Sequence, residues 1–252
     1  MMSLNLRAKT ALVTGSSRGI GFKIAQYLVN EGCRVVMNGR DKNTLKLACD
    51  KAGAETYFPG DMSQPSEAKK VVASSIDHLE GLDILICNVG SGSSVRPGDE
   101  NYDEWLRMFS INFLSTTNAI EAAKAALISS AGVIVCISSI CGLEVIPGAP
   151  ITYSISKAAL NLYIKSMARP LGKLGVRING VAPGNMLFPG STWETKCLKD
   201  SQNVQHFLDA EVALGKLGDP ANIASVTAFL SSPLSAFTTG TIWTIDGGQA
   251  RA

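Results

Sequence analysis

The sequence predicts an α/β fold in which a seven-stranded, doubly wound parallel sheet carries helices on both faces. Seven short runs rich in Val and Ile are apolar throughout, as strands covered on both faces are. Segments with helical periodicity separate these runs, and the alternation repeats six times with short connections. Because crossovers between parallel strands are right-handed, this alternation builds one open sheet.

The predicted elements follow one another along the chain. The strands are predicted at 10–14, 34–38, 55–58, 82–87, 132–138, 177–181 and 241–245. The helices are predicted at 19–31, 43–51, 65–78, 102–129, 154–174 and 220–230. In the first helix, Ile20, Ile24, Ala25 and Leu28 recur at helical spacing, which indicates a buried face.

Residues 185–214 fit the alternation least, because Pro189, Gly190 and Trp193 interrupt a weak periodicity. A long irregular insertion in a compact domain is usually a lid or a binding loop. We therefore expect residues 185–214 to form a substrate-binding lid. No linker, repeat or low-complexity stretch divides the rest, so residues 1–252 are predicted to form a single domain.

Charge and hydropathy argue against several partners. The chain has 23 Lys and Arg against 21 Asp and Glu, and no basic run, so neither nucleic acid nor an anionic membrane surface is expected as a partner. The N-terminus lacks the apolar core of a signal peptide. The uncharged stretch 224–245 contains nine Ser or Thr residues and is interrupted by Pro233 and Gly240, which excludes a membrane span.

The cysteines indicate a reducing compartment. Six of them (Cys33, Cys49, Cys87, Cys136, Cys141 and Cys197) lie far apart, and no CxxC pair occurs. We interpret them as reduced thiols of a cytoplasmic protein, with neither a disulfide nor a metal site implied.

A glycine-rich turn joins the first strand to the first helix. It runs from Thr14 to Gly21 as TGSSRGIG, with glycines at 15, 19 and 21. Glycines allow the backbone to turn tightly and to approach a pyrophosphate, which then lies against the free N–H groups of the helix N-terminus. The turn therefore predicts a dinucleotide-binding Rossmann fold, although its spacing, TGxxxGxG, differs from the common GxGxxG.

TGxxxGxG in the first turn resembles the short-chain dehydrogenase/reductase family, and further motifs match in the same order over nearly the whole chain. Residues 87–90 (CNVG) look like a variant of the family's NNAG turn, and Pro183-Gly184 and Asp246-Gly247-Gly248 follow the last two strands. The resemblance implies a cofactor site made of Gly15, Ser17, Arg18, Gly19, Ile20, Gly21, Asp61, Met62, Asn88, Val89, Gly90, Pro183 and Gly184, with Asp61 contacting the adenine.

Tyr153 and Lys157 are the candidate catalytic pair. Hydride transfer to a carbonyl needs a group that gives or takes a proton on the oxygen. A Tyr and a Lys four residues apart lie on one helix face, and a nearby cation favours phenolate over a phenol whose pKa is ordinarily about 10. Only two histidines, His78 and His206, are present and GxSxG is absent, so a Ser-His-Asp hydrolase is not expected.

The resemblance assigns roles to four residues. Ser139 would hold the substrate oxygen, Tyr153 would transfer the proton, and Asn112 would support a proton-relay water. Lys157 would lower the pKa of the phenol and bind the nicotinamide ribose. Two features depart from the family pattern: one extra residue lies between Ser139 and Tyr153, and no threonine follows Pro183-Gly184 until Thr192.

The end of the second strand bears on the choice of cofactor. NAD enzymes of this fold place an acid there to bind the ribose 2′-hydroxyl. Gly39 occupies that position and Arg40 follows it, and a guanidinium pairs well with a 2′-phosphate. NADP is therefore the expected cofactor, bound by Arg40 with Arg18 nearby. NAD remains possible if Asp41 reaches the ribose.

We expect an NADP(H)-preferring oxidoreductase that interconverts a carbonyl and an alcohol, similar to bacterial 3-oxoacyl-acyl-carrier-protein reductases or to sugar dehydrogenases. The alternative is a catalytically silent nucleotide-binding or regulatory protein of the same fold. Small residues along helices 102–129 and 154–174 allow close helix packing. Together with the resemblance, they imply a homotetramer.

Overall fold

Seven parallel strands form one sheet in the computed structural model, which describes residues 3–251. They are β1 (Thr10–Val13), β2 (Arg34–Gly39), β3 (Thr56–Pro59), β4 (Ile84–Cys87), β5 (Val133–Ile137), β6 (Arg177–Pro183) and β7 (Ile242–Ile245). Their order in the sheet is β3-β2-β1-β4-β5-β6-β7, and every neighbouring pair is parallel. The predicted fold class is confirmed, and each strand ends within two residues of its prediction.

Nine α-helices occur within residues 3–251. They are α1 (Gly19–Asn30), α2 (Lys42–Ala52), α3 (Pro65–Leu79), α4 (Tyr102–Phe109), α5 (Ser115–Ser129), α6 (Ile151–Gly172), α7 (Thr192–Lys199), α8 (Ser201–Glu211) and α9 (Pro220–Ser231). None of the helices in this part of the chain is both long enough and apolar enough to cross a membrane.

The helices cover both faces of the sheet because successive strand residues point to opposite sides. Ala11 and Val13 pack into one core with side chains of α1, α2 and α9. Leu12, between them, packs into a second core with side chains of α3, α5 and α6. Each strand is therefore apolar on both sides, which explains the continuous apolar runs in the sequence.

Three predicted elements need correction. Helix 102–129 is interrupted by a π-helical turn at Ser110–Leu114, and helix 154–174 begins earlier, at Ile151, after Pro150. Residues 185–214 are not irregular, because they contain α7 and α8. Those two helices are short and bury few side chains, so their apolar periodicity is weak in the sequence.

The strand order places a crevice at the carboxyl edge of the sheet. The chain moves outward from β1 to β2 and β3, then returns to the other side of β1 with β4. The loops after β1 and β4 therefore leave the sheet in opposite directions, and a ligand can enter between them. The predicted site residues lie on the loops and helix ends along this edge.

Candidate active site

The turn between β1 and α1 requires its glycines. Gly15 and Gly19 have φ values of +61° and +58°, in the left-handed region that disfavours other residues. A Cβ on Gly21 would lie 2.3 Å from Asn88 Nδ2 and 2.5 Å from the Gly15 carbonyl oxygen. Arg18, the N-cap of α1, makes no side-chain cap, so the first N–H groups of the helix have no side-chain partner there. The turn can therefore accept an anion such as pyrophosphate.

Asn88 connects the loop after β4 to this turn. Its Nδ2 donates to the carbonyl oxygens of Gly15 (2.9 Å) and Thr14 (3.2 Å), and its backbone N–H donates to Thr14 Oγ1 (3.0 Å). The Val89 side chain packs against Gly15. In this structure the Asn88 side chain therefore fixes the backbone of the glycine turn, and Val89 packs beside it.

Asn38 supports the same turn from β2 and was missed in the sequence. It is 1% exposed. Its Oδ1 accepts from the Gly15 N–H (3.4 Å), and its Nδ2 donates to the carbonyl oxygens of Phe58 and Gly60, both at 3.1 Å. A lone amide inside an otherwise apolar strand was the available signal, because a buried polar group needs partners.

Asp61 and Met62 follow β3, as predicted for the adenine end. One carboxylate oxygen of Asp61 accepts from the backbone N–H (2.9 Å) and the hydroxyl (2.8 Å) of Ser63, which orders the turn into α3. The Met62 side chain is buried in the core, and its carbonyl oxygen accepts from Asn118 Nδ2 (3.0 Å). A cofactor could contact Met62 only through its backbone.

At the end of β2, the structure gives Arg40 and Asp41 different surroundings. Arg40 is exposed at the end of β2, and no carboxylate within residues 3–251 forms an ion pair with it or with Arg18. Asp41 caps α2, where its Oδ1 accepts from Thr44 N (2.8 Å) and Thr44 Oγ1 (2.6 Å), and these bonds lower its pKa. A Cβ on Gly39 would lie 3.3 Å from Ser17 Cβ and Oγ, so a side chain at the usual acid position would be crowded.

The residues that follow β6 pack against the loop after β7 and against the glycine turn. A Cβ on Gly184, which follows Pro183, would lie 2.7 Å from Asp246 Cβ, so these two loops are in close contact. Asn185 follows Gly184, in the stretch where the family usually has a threonine. Its Nδ2 donates to Gln249 Oε1 (2.8 Å), so this side chain is already engaged within the protein. A Cβ on Gly19, which follows Arg18, would lie 2.7 Å from the ring of Phe188, so residues 185–214 begin directly against the glycine turn.

Asn112 lies on the π-helical turn and is fully buried. Its Oδ1 accepts from the Ser91 N–H (2.8 Å), and its Nδ2 donates to the carbonyl oxygens of Ser91 and Met108, both at 3.1 Å. The side chain therefore anchors the loop that follows Gly90. A Cβ on Gly90 would meet both Asn112 Oδ1 (3.0 Å) and Lys157 Nζ (3.2 Å), so the missing side chain lets these polar groups approach each other.

Ser139 and Tyr153 come together beyond the carboxyl end of β5. Ser139 precedes a 3₁₀ turn at Ile140–Gly142, and its Oγ accepts from the Cys141 N–H (3.2 Å). Tyr153 stands in the first turn of α6 and is half-buried. Burial raises the pKa of Tyr153 to about 12, and the Ser139 hydroxyl acts in the opposite direction. The phenol is therefore protonated at neutral pH.

Lys157 is buried one helical turn after Tyr153, and only 3% of it is exposed. Its Nζ donates to the Ile137 carbonyl oxygen at 2.8 Å. Burial lowers the pKa of Lys157 to about 8. The ammonium is therefore largely charged at pH 7, beneath the crevice. Its expected effect on the phenol stays a prediction.

These features define a class of protein: an oxidoreductase with a Rossmann sheet, a glycine turn open to pyrophosphate, and a Ser, Tyr and Lys at the adjacent strand end. A family model described as enoyl-(acyl carrier protein) reductase matches residues 15–250. The chain belongs to the short-chain dehydrogenase/reductase family, whose members use NAD(P), so the predicted family and nicotinamide cofactor are confirmed at that level.

This chain is similar over nearly its whole length to proteins that are named for different substrates. It is 32% identical over 248 residues to the 3-oxoacyl-[acyl-carrier-protein] reductase FabG of Vibrio cholerae serotype O1, covering 98% of this chain and 99% of that one. It is 30% identical over 243 residues to L-fucose dehydrogenase of Mus musculus, covering 95% and 88%. The crystal structure of L-sorbose reductase from Gluconobacter frateurii, complexed with NADPH and L-sorbose, matches with a TM-score of 0.92, 26% identity and full coverage of both chains.

The burial of Lys157 predicts a pH-dependent stability. Its folded pKa of about 8 lies below the ordinary value of 10.5, so between these pH values the unfolded chain binds the proton more tightly. The free energy of unfolding of the wild type should therefore rise with pH in this window relative to Lys157→Met, by about 3 kcal/mol in total. Urea unfolding of the cofactor-free protein between pH 7 and pH 10 measures this difference.

A matched control is Lys69→Met, which removes an exposed lysine from α3. This variant should follow the wild type across the same pH range. A stability difference between wild type and Lys157→Met that stays constant from pH 7 to pH 10 would contradict the burial argument.

Proposed function

We propose that this protein is an NADP(H)-preferring carbonyl reductase, or the reverse alcohol dehydrogenase, in which Tyr153 transfers the proton. The observation that carries the proposal is the convergence of Ser139, Tyr153 and Lys157 at one strand end, beside the turn suited to pyrophosphate. A catalytically silent nucleotide-binding protein would have no chemical need for all three side chains.

The described contacts suit each residue to one task. The Ser139 oxygen accepts from the Cys141 N–H, so the hydroxyl proton is left to donate, to the Tyr153 oxygen or, once substrate is bound, to the substrate carbonyl oxygen. Tyr153 is protonated at neutral pH and can donate to that oxygen as negative charge develops on it. The bound cofactor would supply the hydride. Lys157 would stabilise the resulting phenolate with its buried positive charge.

Three groups of residues would hold the cofactor. Gly15, Ser17, Gly19, Ile20 and Gly21 would hold the pyrophosphate, and Asp61, the Met62 backbone, Val89 and Gly90 would line the adenosine path, with Asn88 supporting the turn. Pro183 and Gly184 would border the nicotinamide. Lys157 and Tyr153 would contact its ribose.

NADP is the proposed preference because Arg40 lacks a competing carboxylate among residues 3–251. Asp41, which could favour NAD, is engaged at the N-terminus of α2. Arg18 could approach the 2′-phosphate from the glycine turn.

We propose residues 185–214 as a lid over the substrate, within a single domain. Phe188 already lies against the glycine turn.

The relatives act, by their names, on acyl thioesters or sugars, so a screen should compare 3-oxoacyl thioesters, ketoses, small ketones and an enoyl thioester, with NADPH oxidation as the readout. Reduction of the enoyl thioester alone would contradict a carbonyl substrate.

We also propose a cytoplasmic location. All six cysteines are free thiols, which fits a reducing compartment.

Tyr153→Phe should abolish proton transfer while leaving the fold and NADPH affinity intact. Loss of a general acid typically lowers the rate about a hundred- to ten-thousand-fold. Turnover with any accepted carbonyl substrate, together with NADPH fluorescence titration, measures both effects. The control Tyr163→Phe removes a hydroxyl ten residues further along α6 and should keep its activity. A Tyr153→Phe enzyme with more than half of wild-type turnover refutes the mechanism.

Arg40→Ala should reduce the preference for NADPH over NADH. A hydrogen bond to a charged group contributes about 1.5–3 kcal/mol, so the ratio of kcat/KM for the two cofactors should fall roughly ten- to hundred-fold. Lys46→Ala removes an exposed cation from α2 and should leave the ratio unchanged. Equal use of both cofactors by the wild type, or a preference that survives Arg40→Ala, is the contrary result.

We also propose a homotetramer, in which α4, α5 and α6 pack across one two-fold axis and a second interface near β7 completes the assembly. Large apolar side chains on these helices are exposed, including Tyr102 (74%), Leu106 (50%) and Leu162 (67%). Light scattering should give about four times the chain mass of 26.6 kDa. Leu162→Asp should lower that mass, whereas Leu47→Asp, at an exposed position on α2, should not. A wild-type mass near that of one chain excludes the assembly.

A further inference from the structure

The first turn of α6 carries Tyr153 but has no side-chain cap of its own. Its N-cap is Pro150, which makes no capping bond through its side chain. Helix ends without capping partners fray easily. A reactive phenol in such a turn needs another restraint, because catalysis depends on holding the reacting group close to its productive geometry.

Thr152, the residue directly before Tyr153, provides a link out of this turn. It is fully buried. Its Oγ1 lies 2.7 Å from Ser94 Oγ, in the loop that follows β4. Ser94 Oγ in turn donates to Glu104 Oε1 on α4, at 2.5 Å. Because a hydroxyl has one proton, and that of Ser94 points to the carboxylate, Thr152 must be the donor in its bond to Ser94.

Arg107 completes this hydrogen-bonded chain. Its guanidinium donates through Nε and Nη2 to the two carboxylate oxygens of Glu104, both at 2.7 Å, and through Nη2 to the Ser93 carbonyl oxygen at 2.9 Å. Bonds from Arg107 and Ser94 lower the pKa of Glu104 to about 2, so it is a carboxylate at neutral pH. The hydroxyl protons of this hydrogen-bonded chain therefore have fixed directions: Thr152 donates to Ser94, and Ser94 donates to Glu104.

The same loop also forms a wall of the site. A Cβ on Gly92 would lie 3.9 Å from ring atoms of Tyr153. Asn112 holds the loop at Ser91, and the Glu104–Arg107 pair holds it at Ser93 and Ser94. One set of bonds therefore connects the loop beside the phenol and the helix turn that carries the phenol.

We propose that Thr152, Ser94 and Glu104 are positioning residues that hold Tyr153 and the loop beside it in the reactive arrangement. None of the three needs to touch the cofactor or the reacting atoms. The inference rests on the proposed role of Tyr153.

The test compares Thr152→Val, which keeps the branched shape without the hydroxyl, with Thr152→Ser, which keeps the hydroxyl. With an accepted carbonyl substrate, Thr152→Val should lower kcat roughly ten- to hundred-fold, as small misplacements of reacting groups do. The Kd for NADPH should stay within about twofold of wild type, since none of the residues in this hydrogen-bonded chain belongs to the glycine turn. Thr152→Ser should recover most of the lost kcat.

Ser94→Ala should lower kcat similarly, and the double variant Thr152→Val with Ser94→Ala should be no slower than either single variant, because both changes break one connection. Hydrogen–deuterium exchange gives a readout independent of activity. The amides of residues 152–155 should exchange faster in Thr152→Val and Ser94→Ala than in wild type or Thr152→Ser. Should Thr152→Val fail to fold, Ser94→Ala, a loop substitution, carries both measurements.

The inference is overturned if Thr152→Val keeps more than half of wild-type kcat, if Thr152→Ser is as slow as Thr152→Val, or if the two losses multiply in the double variant. Tyr153→Phe, measured with the same substrate, separates this failure from that of the proposed function. An inactive Tyr153→Phe with a fully active Thr152→Val refutes only the positioning role. An active Tyr153→Phe refutes the catalytic role of the phenol, and the exchange measurement then still decides whether the hydrogen-bonded chain restrains the turn.

Discussion

The contact between Asn88 and the glycine turn is the constraint on which the other features of the crevice depend. The Asn88 amide occupies the space that a side chain on Gly21 would need, and it bonds the carbonyl oxygens of the turn. This contact sets the distance between the loops after β1 and β4, where the strand order reverses. The opening for a dinucleotide and the position of Gly90 beneath Asn112 and Lys157 both follow from that distance.

Stability and chemistry oppose each other at Lys157. A buried ammonium has lost its hydration, and one backbone carbonyl oxygen replaces only part of it. The surrounding sheet and helices must supply the stability that this residue removes. In the proposed mechanism this buried positive charge acts on the developing phenolate of Tyr153, and the low dielectric of the interior strengthens that effect.

The sequence was informative wherever a residue's role depended on its near neighbours along the chain. The glycine turn, the Tyr153–Lys157 spacing and the apolar strands are local patterns, and the fold and the residues around the crevice followed from them. The π-helical turn at Ser110–Leu114 was not predicted: its Asn112 side chain bonds the backbone of Ser91, 21 residues away, and no local pattern encodes that contact. Asn38 was missed for the same reason: its partners lie in the glycine turn and at the end of β3, at least 20 residues away in sequence.

The segment 185–214, which we propose as the lid over the substrate, depends on contacts that are still more distant in sequence. Asn185 pairs with Gln249, 64 residues away, and the Glu144 carboxylate accepts from the backbone N–H of Arg251, 107 residues away. Arg251 also binds Glu211 at the end of α8. Residues near the C-terminus thus connect both ends of 185–214 with the loop between Ser139 and Tyr153. Because no local motif encodes such pairings, the glycine turn and the Tyr153–Lys157 pair can be recognised from the sequence, whereas the contacts around residues 185–214 require the structure.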